Sequence, residues 1–437
     1  METGLRKYIV PNMLAMAGTS CYVLADTFFI SLAEGAGGIA ALNLVLPLYG
    51  LIYGIGSMIG VGSATQYSLR KSLAESDADP YFFNALAFAV LCGSVLTLCG
   101  VFCPEKILTV LGADAQLLSI GTSYTRIVLC FAPFFMLNYP VTAFLRNDGA
   151  PKLAMWATLL SGGFNILFDY LFMFPLGMGM AGAALATGLS PVVSICVCMV
   201  HYVSKQNTVR LVRCIPSLRR LAAACRLGVA ALVGELSGGV TTLVFNFILL
   251  DLAGNTAVAA YGVIANLALV GISLLNGIAL GLQPVASLAH GQRNGEQLKQ
   301  IRRSSLCIGL AVGGVLLLAA AFFANPLVRI FNSEGSASLA GYAQIGLRLY
   351  FLGFPLAAVN IVKAGFYGAV GKGAASSAIA LSRGIFSIAV MAFLLSRFLG
   401  VTGVWLAFPA SEGITWLGSV LMEARGRRKA PGPASPS

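Results

Sequence analysis

Residues 8–32 read YIVPNMLAMAGTSCYVLADTFFISL. A helix needs about 20 mostly apolar residues to cross a bilayer, and this run supplies them with one carboxylate, Asp26, inside it. Arg6 and Lys7 precede it, and Ala15-Met-Ala17 resembles a signal cleavage site. The apolar stretch nevertheless continues well beyond the roughly 7–15 residues of a signal core, so it reads as an uncleaved first span.

The whole chain repeats that message. Its 437 residues are 58% hydrophobic and 10% charged, with a mean hydropathy of +0.85. Soluble domains carry about 25% charged residues, so this chain is an integral membrane protein. Twelve candidate spans lie near 8–32, 40–65, 80–103, 118–145, 153–176, 181–203, 225–251, 257–288, 304–326, 341–369, 374–396 and 401–423. Of the 28 Lys and Arg residues, 21 fall on the loops and ends that share a side with the N-terminus. Three (Lys106, Arg329, Arg397) fall on the opposite side, and four lie inside spans. Basic residues mark the cytoplasmic face, so both termini are expected inside. The same distribution explains the formal charge of +12 without a nucleic-acid partner. The ten cysteines lie mostly in apolar runs without His or acid at ligand spacing, and read as small packing residues. His201 and His290 read as solvated loop residues.

An internal repeat divides the chain. Ile39-Ala-Ala41 matches Val258-Ala-Ala260, and Gly62 matches Gly281, each 219 residues apart. Arg126, Pro133, Phe144 and Gly149 match Arg348, Pro355, Phe366 and Gly371 at 222, and the segments starting at Gly182 and Gly403 match at 221. The expected fold is therefore all-α, with twelve transmembrane helices in two six-helix lobes related by a pseudo-two-fold along the membrane normal, a pattern of transporters. The expected boundaries are residues 1–204 for the first lobe, 205–224 for a basic cytoplasmic linker, 225–424 for the second lobe, and 425–437 for a disordered tail. The linker alternates arginine with apolar residues and has two readings: an amphipathic helix on the inner membrane face, or a solvated connection.

Four acids fall well inside spans: Asp26, Asp169, Glu235 and Glu412. A charge at a helix centre costs about 2.5–3.5 kcal/mol on insertion scales, so each needs a partner or a task. Arg126 and Arg348 lie near outer span ends, and Lys363 lies near an inner end where it can snorkel. Arg383 lies deep in span eleven and is a structural pair candidate for Glu412. The first half offers Asp26 and Asp169 no deep base, which leaves a proton or a metal cation as their partner. Asn165 and Asp169 are four apart and share a helix face; Thr187 on the next span adds an oxygen. These groups form either a hard-cation or protonatable cluster, or interhelical hydrogen-bond glue. Pro11 kinks the first span either as a gate or as ordinary packing. Gly54 to Gly60 is glycine-rich but mid-span, which suits close packing. There is no P-loop, metal–diphosphate motif or nucleophile elbow, so the chain does not read as an enzyme or as driven by ATP.

The chain resembles the multidrug and toxic compound extrusion (MATE) family over nearly its whole length. The resemblance rests on ADTFFIS at 25–31, GGIAALNLVLP at 37–47, GIGSMIGVGSATQYS at 54–68, FLRNDGAPK at 144–152 and NILFDYLFMFPLGMGMAGAALAT at 165–187. GELSGGVTTLVFN at 234–246, GIALGLQP at 277–284 and GVWLAFPASE at 403–412 carry it through the second half. It implies two lobes in a V around a central cavity, and export of bulky, often cationic amphiphiles in exchange for H⁺ or Na⁺. It places cation binding and proton coupling, or a Na⁺, at Asp26, Asn165, Asp169 and Thr187, with Pro11 as the gating kink. Glu235 matches a second-lobe acid only loosely, and span ten lacks the acid found in some relatives. Residence as a monomer in the bacterial inner membrane, with no cofactor, completes the expectation. The alternative within the same superfamily is a flippase for a lipid-linked saccharide or peptidoglycan precursor. That activity expects a cationic cavity, whereas the first half shows acids.

Overall fold

Without water, backbone N–H and C=O groups must find partners within the protein, and a helix provides them inside a single segment. The computed structural model describes residues 2–73, 77–331 and 336–429, and contains no strand among them. The helices run α1 (Glu2–Ser72), α2 (Pro80–Phe102), a short α3 (Pro104–Val110), α4 (Ala115–Cys130), α5 (Ala132–Asn147), α6 (Pro151–Met173) and α7 (Gly179–Tyr202). After a non-helical connection come α8 (Leu218–Gly291), α9 (Gly295–Phe331), α10 (Ala337–Phe351), α11 (Phe354–Ala369) and α12 (Gly373–Leu381). A π-helical turn, Ser382–Phe386, then leads into α13 (Ser387–Lys429).

α1 and α8 hold two spans each, and α13 completes the span begun by α12 before turning into the last one. α1 turns at Gly35 (φ 60°, ψ −146°), α8 at Gly254 (φ 69°, ψ −163°) and α13 at Gly400 (φ 57°, ψ −135°). Such left-handed backbone favours glycine because it lacks a Cβ. Gly35 and Gly254 are 219 residues apart, so the repeat extends to the turns themselves. α4 and α5 meet at 43°, and α10 and α11 at 46°. The second helix of each bent pair begins with a proline near its start, Pro133 or Pro355, which tolerates a helix start but disfavours helix in the residue before it. With each bent pair taken as one span, the described residues form twelve helical segments long enough to cross a bilayer. α6 is among them, although Asn165 and Asp169 make it less apolar. The sequence reading of 118–145 and 341–369 as single spans therefore holds in number, with a bend added to each. The tail expected from residue 425 is helical as far as Lys429, where α13 ends, and the rest of it lies outside the described residues.

Four clusters of buried apolar residues divide between the two halves. One gathers Phe245 through Phe408 with Leu5 and Ile9; the others gather residues between Ile30 and Val209. The halves touch through backbones that come very close. A Cβ on Gly62 would lie 2.1 Å from the Ala224 carbonyl oxygen, and one on Gly228 would lie 2.0 Å from that of Met58. On the pseudo-symmetric contact, a Cβ on Gly277 or Gly281 would lie 2.6 Å from the Cα of Met13 or Ile9. Gln283 donates to Thr65 Oγ1 at 2.6 Å, and Gln66 to the Ala223 carbonyl at 3.1 Å, across the same seam. Further along α8, Gly234, Gly238 and Gly239 face open space. The lobes thus meet at the end holding the N-terminus and the inter-lobe connection, and part towards the other end. Pro11 is buried in this seam, and α1 stays helical through it.

Gly228→Val should force the seam apart, because its methyl groups meet backbone rather than a flexible side chain. Overpacking of this kind costs about 1–3 kcal/mol. A lower thermal midpoint for the purified protein than for Gly234→Val, whose Cβ meets open space, is the expected measurement.

Candidate functional site

The four residues singled out in the first half come together. Asn165 and Asp169 lie one turn apart on α6 and are fully buried; Thr187 on α7 is 7% exposed. Asn165 Nδ2 donates to Thr187 Oγ1 at 3.3 Å. That bond uses the amide nitrogen and leaves its oxygen without a partner. Asp26, half-buried on the first span of α1, brings its carboxyl against that of Asp169. Asp26 Oδ1, Asn165 Oδ1 and both Asp169 oxygens are buried with no hydrogen-bond donor. No ion pair to Asp26 or Asp169 exists among the described residues, and Arg126 is exposed. Buried polar groups are normally satisfied, so a cluster of orphan oxygens calls for an explanation. Two adjoining carboxylates cannot stay charged in a dry interior without a counter-charge. The donor set is all oxygen: two carboxyls, an amide and a hydroxyl. It suits a proton or a hard monovalent cation. A buried Tyr49–Tyr124 pair, Oη to Oη 2.9 Å, lies within electrostatic reach of Asp26.

The repeat shows that this cluster belongs to one lobe. Adding 219 to Asp26 gives Phe245, and adding 221 to Thr187 gives Phe408. Phe245 and Phe408 are buried, and Tyr350 stacks on Phe408 with ring centroids 4.2 Å apart. Buried aromatic side chains stand where the first lobe has Asp26 and Thr187.

Glu235 lies elsewhere. It is exposed on α8 and faces the space between the lobes, where Tyr139 Oη of the first half donates to its Oε1 at 3.4 Å. Tyr22 and Tyr53 are close enough to feel its charge. An exposed carboxyl ringed by tyrosines offers a cation both charge and aromatic faces.

The Arg383–Glu412 pairing expected from sequence is present. Arg383 Nη2 and Nε donate to Glu412 Oε1 at 2.6 and 3.0 Å, and Asn360 Nδ2 donates to Oε2 at 2.7 Å. Arg383 sits in the π-helical turn, and Glu412 is 1% exposed. Sequence reasoning missed Asn360, although its 222-residue offset from Asn138 was a signal. Two expectations need correction. Lys363 does not snorkel: it is 6% exposed, with Nζ 2.9 Å from Ser419 Oγ and 3.2 Å from Glu423 Oε1. His201 is not a solvated loop residue: it is 5% exposed, and its Nε2 lies 2.8 Å from Asp148 Oδ2. In both cases an acid distant in sequence supplies the partner. His290 is exposed, as expected.

The MatE family profile matches residues 11–171 and 232–394, one stretch in each half. The chain belongs to the MatE family. It is 25% identical over 423 residues to the multidrug export protein MepA of Staphylococcus saprophyticus, covering 96% of this chain and 92% of that relative. MepA of Staphylococcus aureus strain MRSA252 is 24% identical over 419 residues, covering 95% and 92%. Among solved structures, an outward-facing multidrug resistance MATE family transporter of the MOP superfamily superposes with a TM-score of 0.90 at 24% identity, covering 98% of this chain and 96% of that one. The MatE fold accounts for the two all-helical lobes and makes this a multi-pass membrane protein.

Arg383→Ala should leave Glu412 buried with a single amide partner. Breaking a buried pair on one side costs about 3–5 kcal/mol, and the thermal midpoint should fall accordingly. Arg383→Met with Glu412→Leu should recover much of that loss, because no lone charge remains.

Proposed function

We propose that this MatE protein is a secondary active antiporter that exports amphiphilic, often cationic small molecules in exchange for H⁺ or Na⁺. The observation that carries this reading is the group of unpartnered buried oxygens on Asp26, Asn165 and Asp169. A proton or Na⁺ entering from the open side neutralises the cluster. Asn165 and Thr187 orient the amide oxygen towards the ion, and Asp26 links its occupancy to the first span of α1. That span also carries Pro11 in the inter-lobe seam. Loading the cluster therefore acts on the helix that touches both lobes, and the ion and the substrate are coupled if each favours a different state. Phe245 and Phe408, which the repeat matches to Asp26 and Thr187, offer no oxygen ligand, which supports a single coupling site. Glu235 with Tyr139, Tyr53 and Tyr22 offers a cationic substrate a contact in the space between the lobes. The multidrug export activity named for the MepA relatives is consistent with this assignment.

In the same reading the lobes correspond to residues 1–204 and 225–424, and the protein acts as a monomer in the bacterial inner membrane. Its seam end faces the cytoplasm, as the basic residues indicate.

Proteoliposomes with an imposed pH or Na⁺ gradient test the proposal. Gradient-driven ethidium movement should be present for the unaltered protein and fall to the level of empty vesicles for Asp26→Asn and for Asp169→Asn. Glu235→Gln should weaken ethidium binding while the movement that remains still depends on the imposed gradient. Undiminished coupled movement in both aspartate variants would sink the assignment.

A further inference from the structure

The connection between the lobes does more than span a gap. From Val203 to Ser217 it forms no regular helix, and α8 begins at Leu218. It is nevertheless fastened at several points. Asp148, whose side chain is 2% exposed, accepts from the Thr208 backbone N–H at 2.8 Å and from the Thr208 hydroxyl, and lies beside His201 and Lys71. Val209 is 3% exposed in the core formed by Tyr67, Phe82 and Phe144. Ser217 N–H donates to Asn84 Oδ1 at 2.7 Å. Asn84 is four residues inside α2, which starts at Pro80, so the strap dips about 6 Å below the mouth of a spanning helix.

Between these anchors the outward surface has a particular composition. Leu211, Ile215 and Leu218 are 57%, 89% and 73% exposed. Arg210, Arg213 and Arg219 are exposed beside them, and their side chains form no ion pair among the described residues. Residues 203–226 contain no Asp or Glu. The nearby Asp77 is engaged by Arg70 and Arg220, each at 3.0 Å. Large apolar side chains next to unneutralised arginines, held at the depth of a helix end, fit the boundary between acyl chains and headgroups. They do not fit open water.

We propose that the strap of residues 203–219 is a docking surface for anionic phospholipid of the surrounding bilayer. Leu211, Ile215 and Leu218 enter the acyl boundary, and Arg210, Arg213 and Arg219 contact the phosphates. Because Asp148 and Asn84 tie the strap to the first lobe while Leu218 begins the first helix of the second, bound lipid bears on the joint between them. The inference is independent of what the protein exports.

The test uses the full chain reconstituted in phosphatidylcholine vesicles with or without phosphatidylglycerol. In Ile215→Trp, the emission added over the unaltered protein should be quenched by brominated phosphatidylglycerol more than by brominated phosphatidylcholine. Replacing Arg210 or Arg213 by Gln in that background should lower the preference about fivefold per arginine, the value of one basic residue at an anionic surface. In detergent, phosphatidylglycerol should raise the thermal midpoint of the unaltered protein, and Arg210→Gln with Arg213→Gln should lose that rise. Quenching of the added emission by aqueous iodide but by neither lipid would overturn the proposal, as would equal quenching by the two lipids with the arginines intact. A thermal rise that survives the double replacement would also overturn it.

Discussion

A polar group in hydrocarbon has no water to fall back on. Backbone groups meet this constraint by forming helices, and the described residues are helical in every segment long enough to span a bilayer. Side chains meet it by pairing. Glu412 has Arg383 and Asn360, while Glu423 has Arg302, Lys363 and Tyr367. Against these satisfied acids, Asp26 and Asp169 differ because their oxygens meet each other rather than a donor. The contrast between closed and open pairings sets the first-lobe cluster apart from every other in-span acid described above.

The repeat makes the asymmetry physical. Both halves turn at matching glycines, bend at matching prolines and pack across the seam through glycine-backbone contacts. They diverge where the first lobe carries Asp26 and Thr187. There the second lobe carries Phe245 and Phe408, with Tyr350 stacked on Phe408. A duplicated scaffold thus holds the adjoining carboxyls of Asp26 and Asp169 in its first half, with Phe245 at the repeat position of Asp26 in the second. The seam fits this arrangement. Glycines 62, 228, 277 and 281 permit backbone contact between the lobes without interlocking large side chains, so few rotamers must change when the lobes move.

Much of this was legible beforehand because the bilayer imposes simple rules on sequence. Span number, the two halves and the four in-span acids follow from apolar length, a constant offset and the cost of charge in oil. The grouping of Asp26, Asn165, Asp169 and Thr187 was readable because helical spacing and the lack of a deep base in the first half narrowed the choices. Asn360, His201 and Lys363 were misjudged or missed for one reason. Their partners, Glu412, Asp148 and Glu423, are 52, 53 and 60 positions away, and no local period announces such contacts.

The sequence by itself determined a membrane-spanning, helical, duplicated chain with acids where acids are expensive, since each of those properties depends on residue type and order alone. Tertiary structure decided which acids are closed by a base and which stay open, where the lobes touch, and that the basic connection is a fastened strap rather than a helix. Those outcomes depend on distances between helices remote in sequence, set by how close their glycines allow the backbones to come.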